Sequence, residues 1–180
     1  MDKPSPVIGH RVDKSTLISL EKGKIPPQAV DLEEVVLGAM MIDKKGVDEV
    51  IDILHPDVFY KDAHKYIYEA IFKLFESSEP VDLLTVSSQL KRDGKLEAVG
   101  GDFYLIKLTQ KVASSAHIEF HARIILQKYI QRSLIKISSE IIEDAYSDST
   151  DVFDLLDNAE AKLYEVTQGN LKRSAETAQN

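Results

Sequence analysis

The sequence predicts an all-α protein: a globular helical head followed by a long antiparallel helical hairpin. Three observations carry that reading. Apolar residues recur at steps of three and four through most of the chain. No run alternates and pairs as strands would around a hairpin turn, and the periodic segments, of roughly 8 to 15 residues, are joined by short polar links. Residues 115–146 contain neither Gly nor Pro, and they repeat Leu126, Ile130, Leu134, Ile137, Ile141 and Ala145 on one face. At 1.5 Å per residue that helix reaches roughly 45 Å, longer than a small domain is wide, so part of it should project from the body.

The elements follow in order. Residues 1–25 show no periodicity and hold Pro4, Pro6, Gly9 and Gly23, so a disordered arm is expected. Residues 26–114 make the head. Pro26-Pro27-Gln28 opens it, and Asp31 with Glu34 three residues on has the pattern of a capping box. Val36, Leu37, Met40 and Met41 form the buried side of the first helix. Gly38 inside it costs about 1 kcal/mol against Ala, which close approach of another helix would justify. Asp43-Lys44-Lys45-Gly46 reads as a turn, and Val47, Val50, Ile51 and Leu54 as a short helix. His55-Pro56-Asp57 breaks it, and Val58, Phe59 and Tyr60 should anchor in the core. Asp62 and Asp82 are candidate caps for two further helices, Gly100-Gly101 is a hinge-like break, and Tyr104, Leu105, Leu108 and Val112 mark the last head helix.

Residues 115–168 read as the hairpin. Ser147 to Asp151 is turn-rich, and Asp151 is placed to cap the second helix. Val152, Leu156, Ala159, Leu163 and Val166 then recur at coiled-coil spacing, and a short link makes the two helices antiparallel neighbours. Ile118, Ala122, Ile125 and Tyr129 form a second stripe on the first helix, which requires a further contact with the body or with another subunit. Gly169-Asn170 should end the hairpin, and 169–180 should start a disordered linker.

Composition narrows the function classes. A net charge of −8 opposes binding to nucleic-acid phosphates, so protein partners are favoured over DNA. The absence of cysteine removes disulfides and thiolate metal sites and fits a reducing cytoplasm. No apolar run is long enough to span a membrane. There is no GxxxxGK[ST] phosphate loop and no GxGxxG turn, so no ATPase site can be built from these residues. His117 and His121 would share a helix face as zinc ligands do, but Glu119 falls roughly 160° away from them and could not serve metal-bound water. Both are therefore expected to be surface histidines, and the other three to be structural. Glu33-Glu34 and Glu143-Asp144 are expected to be solvated. No catalytic, cofactor-binding or metal-binding residue is assigned.

An ordered set of short segments resembles the amino-terminal domain of bacterial DnaB-type replicative helicases. It comprises Pro26-Pro27-Gln28, Glu33, Val36-Leu37-Gly38-Ala39, Phe59-Tyr60 with His64, and Pro80-Val81-Asp82-Leu83-Leu84-Thr85-Val86. Gly100-Gly101 with Tyr104-Leu105, Ser114-Ser115-Ala116, Ala122-Arg123-Ile124-Ile125, Asp154-Leu155-Leu156-Asp157 and Ala159-Glu160 continue it. Together they cover about residues 26–168. Ala113 stands where the family usually has proline, which would let the long helix start earlier, and His117 and His121 replace an Asn and an aromatic.

The resemblance implies a non-catalytic collar domain whose copies pair in a hexamer and receive the primase carboxy-terminal domain and, in some lineages, a loader. It implies ATP and magnesium only in a motor domain that this sequence lacks, contact with DNA only through that parent, and a bacterial cytoplasmic location. By the same resemblance the dock lies on the hairpin, with Ile135, Ile141 and Leu155 as candidate partner-binding residues and Ile142 as a further off-seam position; the alternative is that they are hairpin core. Ile118, Ile125 and Tyr129 are assigned to self-association. A free-standing helical adaptor or regulator of replication is the alternative function; a gene continuing past Asn180 into a phosphate-loop domain would decide against it.

Overall fold

The packing radiates from one helix. In the computed structural model, which describes residues 23–112 and 114–177, α1 (Val30–Ile42) buries Val36, Leu37, Ala39, Met40 and Met41 almost completely. Around it stand α2 (Lys44–Val50), a 3₁₀ turn (Pro56–Val58), α3 (Asp62–Glu76), α4 (Leu83–Arg92), α5 (Leu96–Val99) and α6 (Gly101–Lys111). The long helix α7 (Ile118–Ala145) crosses this head and continues beyond it, and α8 (Val152–Thr177) returns along α7. All the described regular structure is helical. The expected arm falls outside the described residues except for 23–25, as do Ala113 and 178–180.

Gly38 is where α1 and α6 meet. A Cβ there would sit 2.2 Å from the carbonyl oxygen of Leu108 and 2.7 Å from Val112 Cγ2, so only glycine lets the two backbones come this close. At the other end of α6, Gly100 (φ +100°) and Gly101 (φ +70°) turn the chain from α5 into α6 through two successive left-handed residues.

The caps divide into two groups. Asp43, Asp82 and Asp151 accept from backbone N–H groups at the starts of α2, α4 and α8, and Asp82 forms a full capping box with Thr85. Asp43 therefore opens a helix where the sequence suggested a turn. Asp31 and Asp62 are not caps. Ala29 and Lys61 occupy those positions, because the helices begin earlier: Leu32 and Glu33 already donate to the carbonyl of Ala29. Asp31 and Asp62 lie in the first turns instead, pairing with Lys111 and Lys65.

Glu33 and Glu34 are buried, not solvated. Glu33 Oε1 accepts from the Tyr60 amide (2.7 Å), and its Oε2 lies 2.5 Å from His64 Nδ1. His64 is completely buried, and its Nε2 is 2.8 Å from the Tyr104 hydroxyl, which also reaches Glu34 (3.3 Å). Lys111 closes the chain by donating to Glu34 and to Asp31 (3.1 Å). Burial pushes the Glu34 carboxyl up, but the bond and charge of Lys111, the charge of Lys61 and the Tyr104 hydroxyl outweigh it and hold it below its ordinary range. Burial and the neighbouring carboxylates push Tyr104 up to about 12. This network ties α1 to α3 and α6 through a largely apolar core, and both buried carboxylates are met by donors.

α7 begins at Ile118, not at residue 115. Ser115 donates to Asp43 (2.8 Å) and Ser114 accepts from the Ala116 amide (3.1 Å), and these local bonds compete with helical ones. His117 is consequently the residue at the N-cap, outside the helical backbone geometry, and its carbonyl accepts from the His121 amide (3.1 Å). At the far end α8 runs through Gly169 to Thr177 instead of stopping at 169–170. Gly169 touches nothing there, and the strong helix formers after it offset its cost of about 1 kcal/mol.

Candidate functional site

α7 does two jobs in succession. Over its first half, Ile118, Ala122, Ile125 and Leu126 are buried in the head core, with Tyr129 and Ile130 packed at its edge. This settles the destination of the second stripe: it faces the body. The assignment of Ile118 and Ile125 to self-association is corrected accordingly, because side chains 2% and 1% exposed offer no surface to a second copy. Tyr129 is half-buried, edge-on to the His55 ring at 5.0 Å.

At the midpoint of α7, where it leaves the head, stands Arg132. Its Nη1 donates to the carbonyl of Pro27 (2.7 Å) and its Nη2 to the carbonyl of Val58 (2.8 Å). The guanidinium lies 5.5 Å from the Tyr60 ring centre and 6.0 Å from that of Tyr129, within cation–π range. Burial draws its pKa down, and the nearby charge of Glu33 opposes that.

Beyond Arg132 the hairpin is built from α7 and α8 alone, since α8 packs on no other element. The side of α8 turned toward α7 carries Leu155, Ala159, Lys162 and Val166, half-buried at steps of four, three and four. Lys162 bridges Glu140 (3.0 Å) and Asp144 (3.8 Å) of α7, and those carboxylates raise its pKa. The expected seam, Val152, Leu156, Ala159, Leu163 and Val166, is therefore rotated by about 50° at 100° per residue. Ala159 and Val166 stay within it, while Val152, Leu156 and Leu163 turn out to solvent. Phe153 (76% exposed) and Tyr164 extend this arc, and Ile142 and Tyr146 (86% exposed) stand free on α7 near the turn. An apolar arc of this extent on a projecting element marks an interaction surface.

Of the other candidates, Ile141 and Leu155 are half-buried on the two facing helices. Ile135 is half-buried and lines a groove of about 760 Å³ in the corner between head and hairpin. Tyr60, Tyr129, Arg132 and Val166 also line it, and charged residues of both signs, among them Lys136 and Glu165, complete its walls. Sequence reading missed Tyr146, Phe153 and Tyr164. Their signal was available: three aromatic residues fell on faces assigned to solvent. Among the described residues no three His, Asp or Glu side chains are gathered to hold a metal, and no helix is long and apolar enough to cross a membrane.

Residues 25–127 match the family model described as DnaB-like helicase N terminal domain. The chain is 43% identical over 155 residues to the replicative DNA helicase DnaB of Rhodothermus marinus, covering 86% of this chain and 16% of that protein. It is 38% identical over 145 residues to the replicative DNA helicase DnaB of Geobacillus stearothermophilus, covering 81% and 32%. Among solved structures it is similar to the N-terminal domain of DnaB helicase from Mycobacterium tuberculosis, with TM-score 0.75 and 34% identity, covering 78% of this chain and 99% of that one. It is also similar to a DnaB-like replicative helicase whose structure was described with its interactions with primase, with TM-score 0.63 and 25% identity, covering 76% and 31%.

Proposed function

The chain belongs to the DnaB-like helicase N-terminal domain family, and from that premise we propose that it is the non-catalytic collar domain of a replicative DNA helicase. In this reading its copies pair and contribute to a hexamer, and the hairpin receives the carboxy-terminal domain of primase and, in some lineages, a loader. ATP and magnesium act in a motor domain outside this chain, DNA is contacted only through that parent, and the assembly works in the bacterial cytoplasm. The observation that carries the reading is the solvent-facing apolar arc of a hairpin that projects from the head.

The acidic surface favours proteins over nucleic acid as partners. The primase assignment is supported by the similar helicase described with primase. The dock is placed at the turn end of the hairpin, with Ile135 at the groove, Ile142 and Tyr146 as exposed anchors, and Ile141 and Leu155 beneath them, while the outward arc of α8, with Phe153, Leu156 and Leu163, is the face through which copies pair. Buried apolar and aromatic anchors typically contribute about 2 kcal/mol or more each to such interfaces. Sedimentation velocity of the chain, alone and with the primase carboxy-terminal domain of the same bacterium, tests the proposal. A self-associated species that takes up the primase domain is expected. A monomer that leaves the primase domain free would contradict it.

A further inference from the structure

We propose that Arg132 is a positioning residue that sets the angle at which the hairpin leaves the head. Among the described elements α8 packs on α7 and on none of the head, and the outer half of α7, from Arg132 to Ala145, extends with it. Such a cantilever of roughly 20 Å magnifies small rotations: a tilt of about 10° at its base moves the tip by roughly 3–4 Å. Arg132 is the residue at that base. Its two donors bind carbonyls of two separate segments, Pro27 ahead of α1 and Val58 in the 3₁₀ turn, and its plane is flanked by Tyr60 from the head and Tyr129 from α7.

Three features make this a pin and not ordinary packing. The acceptors are main-chain groups of the head, so the bonds fix α7 relative to the backbone and not to another mobile side chain. The two bonds diverge from one rigid planar fork, which constrains rotation as well as distance; a lysine would supply a single point of attachment. Among the described residues a groove of about 760 Å³ lies beside Arg132 in the corner between head and hairpin, so side-chain packing there is looser than over the first half of α7. The consequence for pairing and docking rests on the collar reading above, but the positioning itself does not.

The chain has no cysteine, so spin labels can be placed at chosen sites without removing any native residue. One label pair, Asp148→Cys at the hairpin turn with Lys107→Cys on α6, reports the hairpin angle; a second, Glu69→Cys on α3 with Lys107→Cys, reports the head. All three positions concerned are exposed. Labelled chain is diluted into excess unlabelled chain, so that pairing between copies adds no distances. Pulsed electron-electron resonance then compares the native background with Arg132→Lys and Arg132→Gln. The turn-to-head distribution should at least double in width, or its mean should move by several ångströms, in both variants, while the distribution within the head stays unchanged. Arg132→Lys keeps the charge and the aliphatic stem and so guards against loss of folding. An unaltered turn-to-head distribution overturns the proposal, and so does equal broadening of both distributions, which would make Arg132 a general stabiliser. Failure of the collar reading appears separately, as a chain that does not pair with Arg132 intact.

Discussion

Replacing Gly38 by alanine sets two effects of opposite sign against each other. Alanine within a helix is favoured over glycine by about 1 kcal/mol, so on an open helix face the change would stabilise. Here the new Cβ would stand 2.2 Å from the Leu108 oxygen, 2.9 Å from the Leu108 carbonyl carbon and 2.7 Å from Val112 Cγ2. Ordinary contact begins at 3.4 Å, so the shortfall to the oxygen is 3.4 − 2.2, or about 1.2 Å, and two of the three atoms are backbone that cannot swing aside. α1 and α6 must separate. Overpacking of this kind costs about 1–3 kcal/mol. The separation also stretches the links from Glu34 to Tyr104 and Lys111, which span the same two helices. With the stretched links added, the clash should outweigh the propensity gain by about 1–2 kcal/mol, lowering the melting temperature by roughly 2–8 °C. Circular-dichroism melts of Gly38→Ala beside Gly46→Ala provide the assay. At Gly46 the nearest atom is the flexible tip of Ile118 at 3.2 Å, so that variant should lose less. A Gly38→Ala protein melting at or above the native temperature would refute the reasoning.

Other perturbations have equally definite signs. His64→Phe removes one of the two hydrogen-bond partners of the buried Glu33 side chain and leaves the Tyr60 amide, and should destabilise by roughly 3–5 kcal/mol in urea unfolding; a loss under 1 kcal/mol would contradict the buried pair. The folded-state pKa of Glu34 lies below its unfolded value, so its stabilisation is present above about pH 4.3 and is lost as pH falls through the folded value. Glu34→Gln should therefore flatten the acid limb of a stability–pH curve, and an unchanged limb would count against the network. Asp82→Ala removes a capping box and should cost about 1 kcal/mol without changing the quaternary state, measured by melting and sedimentation together.

Much of this structure was legible in the residues, and the exceptions share physical causes. Gly38 signalled a close helix contact because its helix cost needed a reason. Asp82 and Asp151 signalled helix starts because capping is local chemistry. The projecting hairpin was legible from helix length alone. The register of α8 was not, because its apolar residues cover an arc wide enough for two seams and a charged side chain, Lys162, selects between them by meeting Glu140 and Asp144. The head-facing role of Ile118 and Ile125 was legible only as one of two options, since a buried face and an intersubunit face have the same pattern. Arg132 left no trace, because its partners are main-chain carbonyls and any residue supplies those. Glu33, His64 and Tyr104 appeared separately in the family pattern; a network linking positions 31 and 40 residues apart becomes visible only after folding.

The central claim, that copies of this domain pair through the solvent-facing arc of the hairpin, is tested most directly by cross-linking. The absence of native cysteine makes a single introduced thiol unambiguous. Leu156→Cys on the exposed arc, treated with a short thiol-to-thiol cross-linker, should give a covalent dimer in high yield that persists on dilution, whereas Glu69→Cys on the exposed side of α3 should not. Equal yields from both positions, or none from Leu156→Cys, would contradict pairing through this arc.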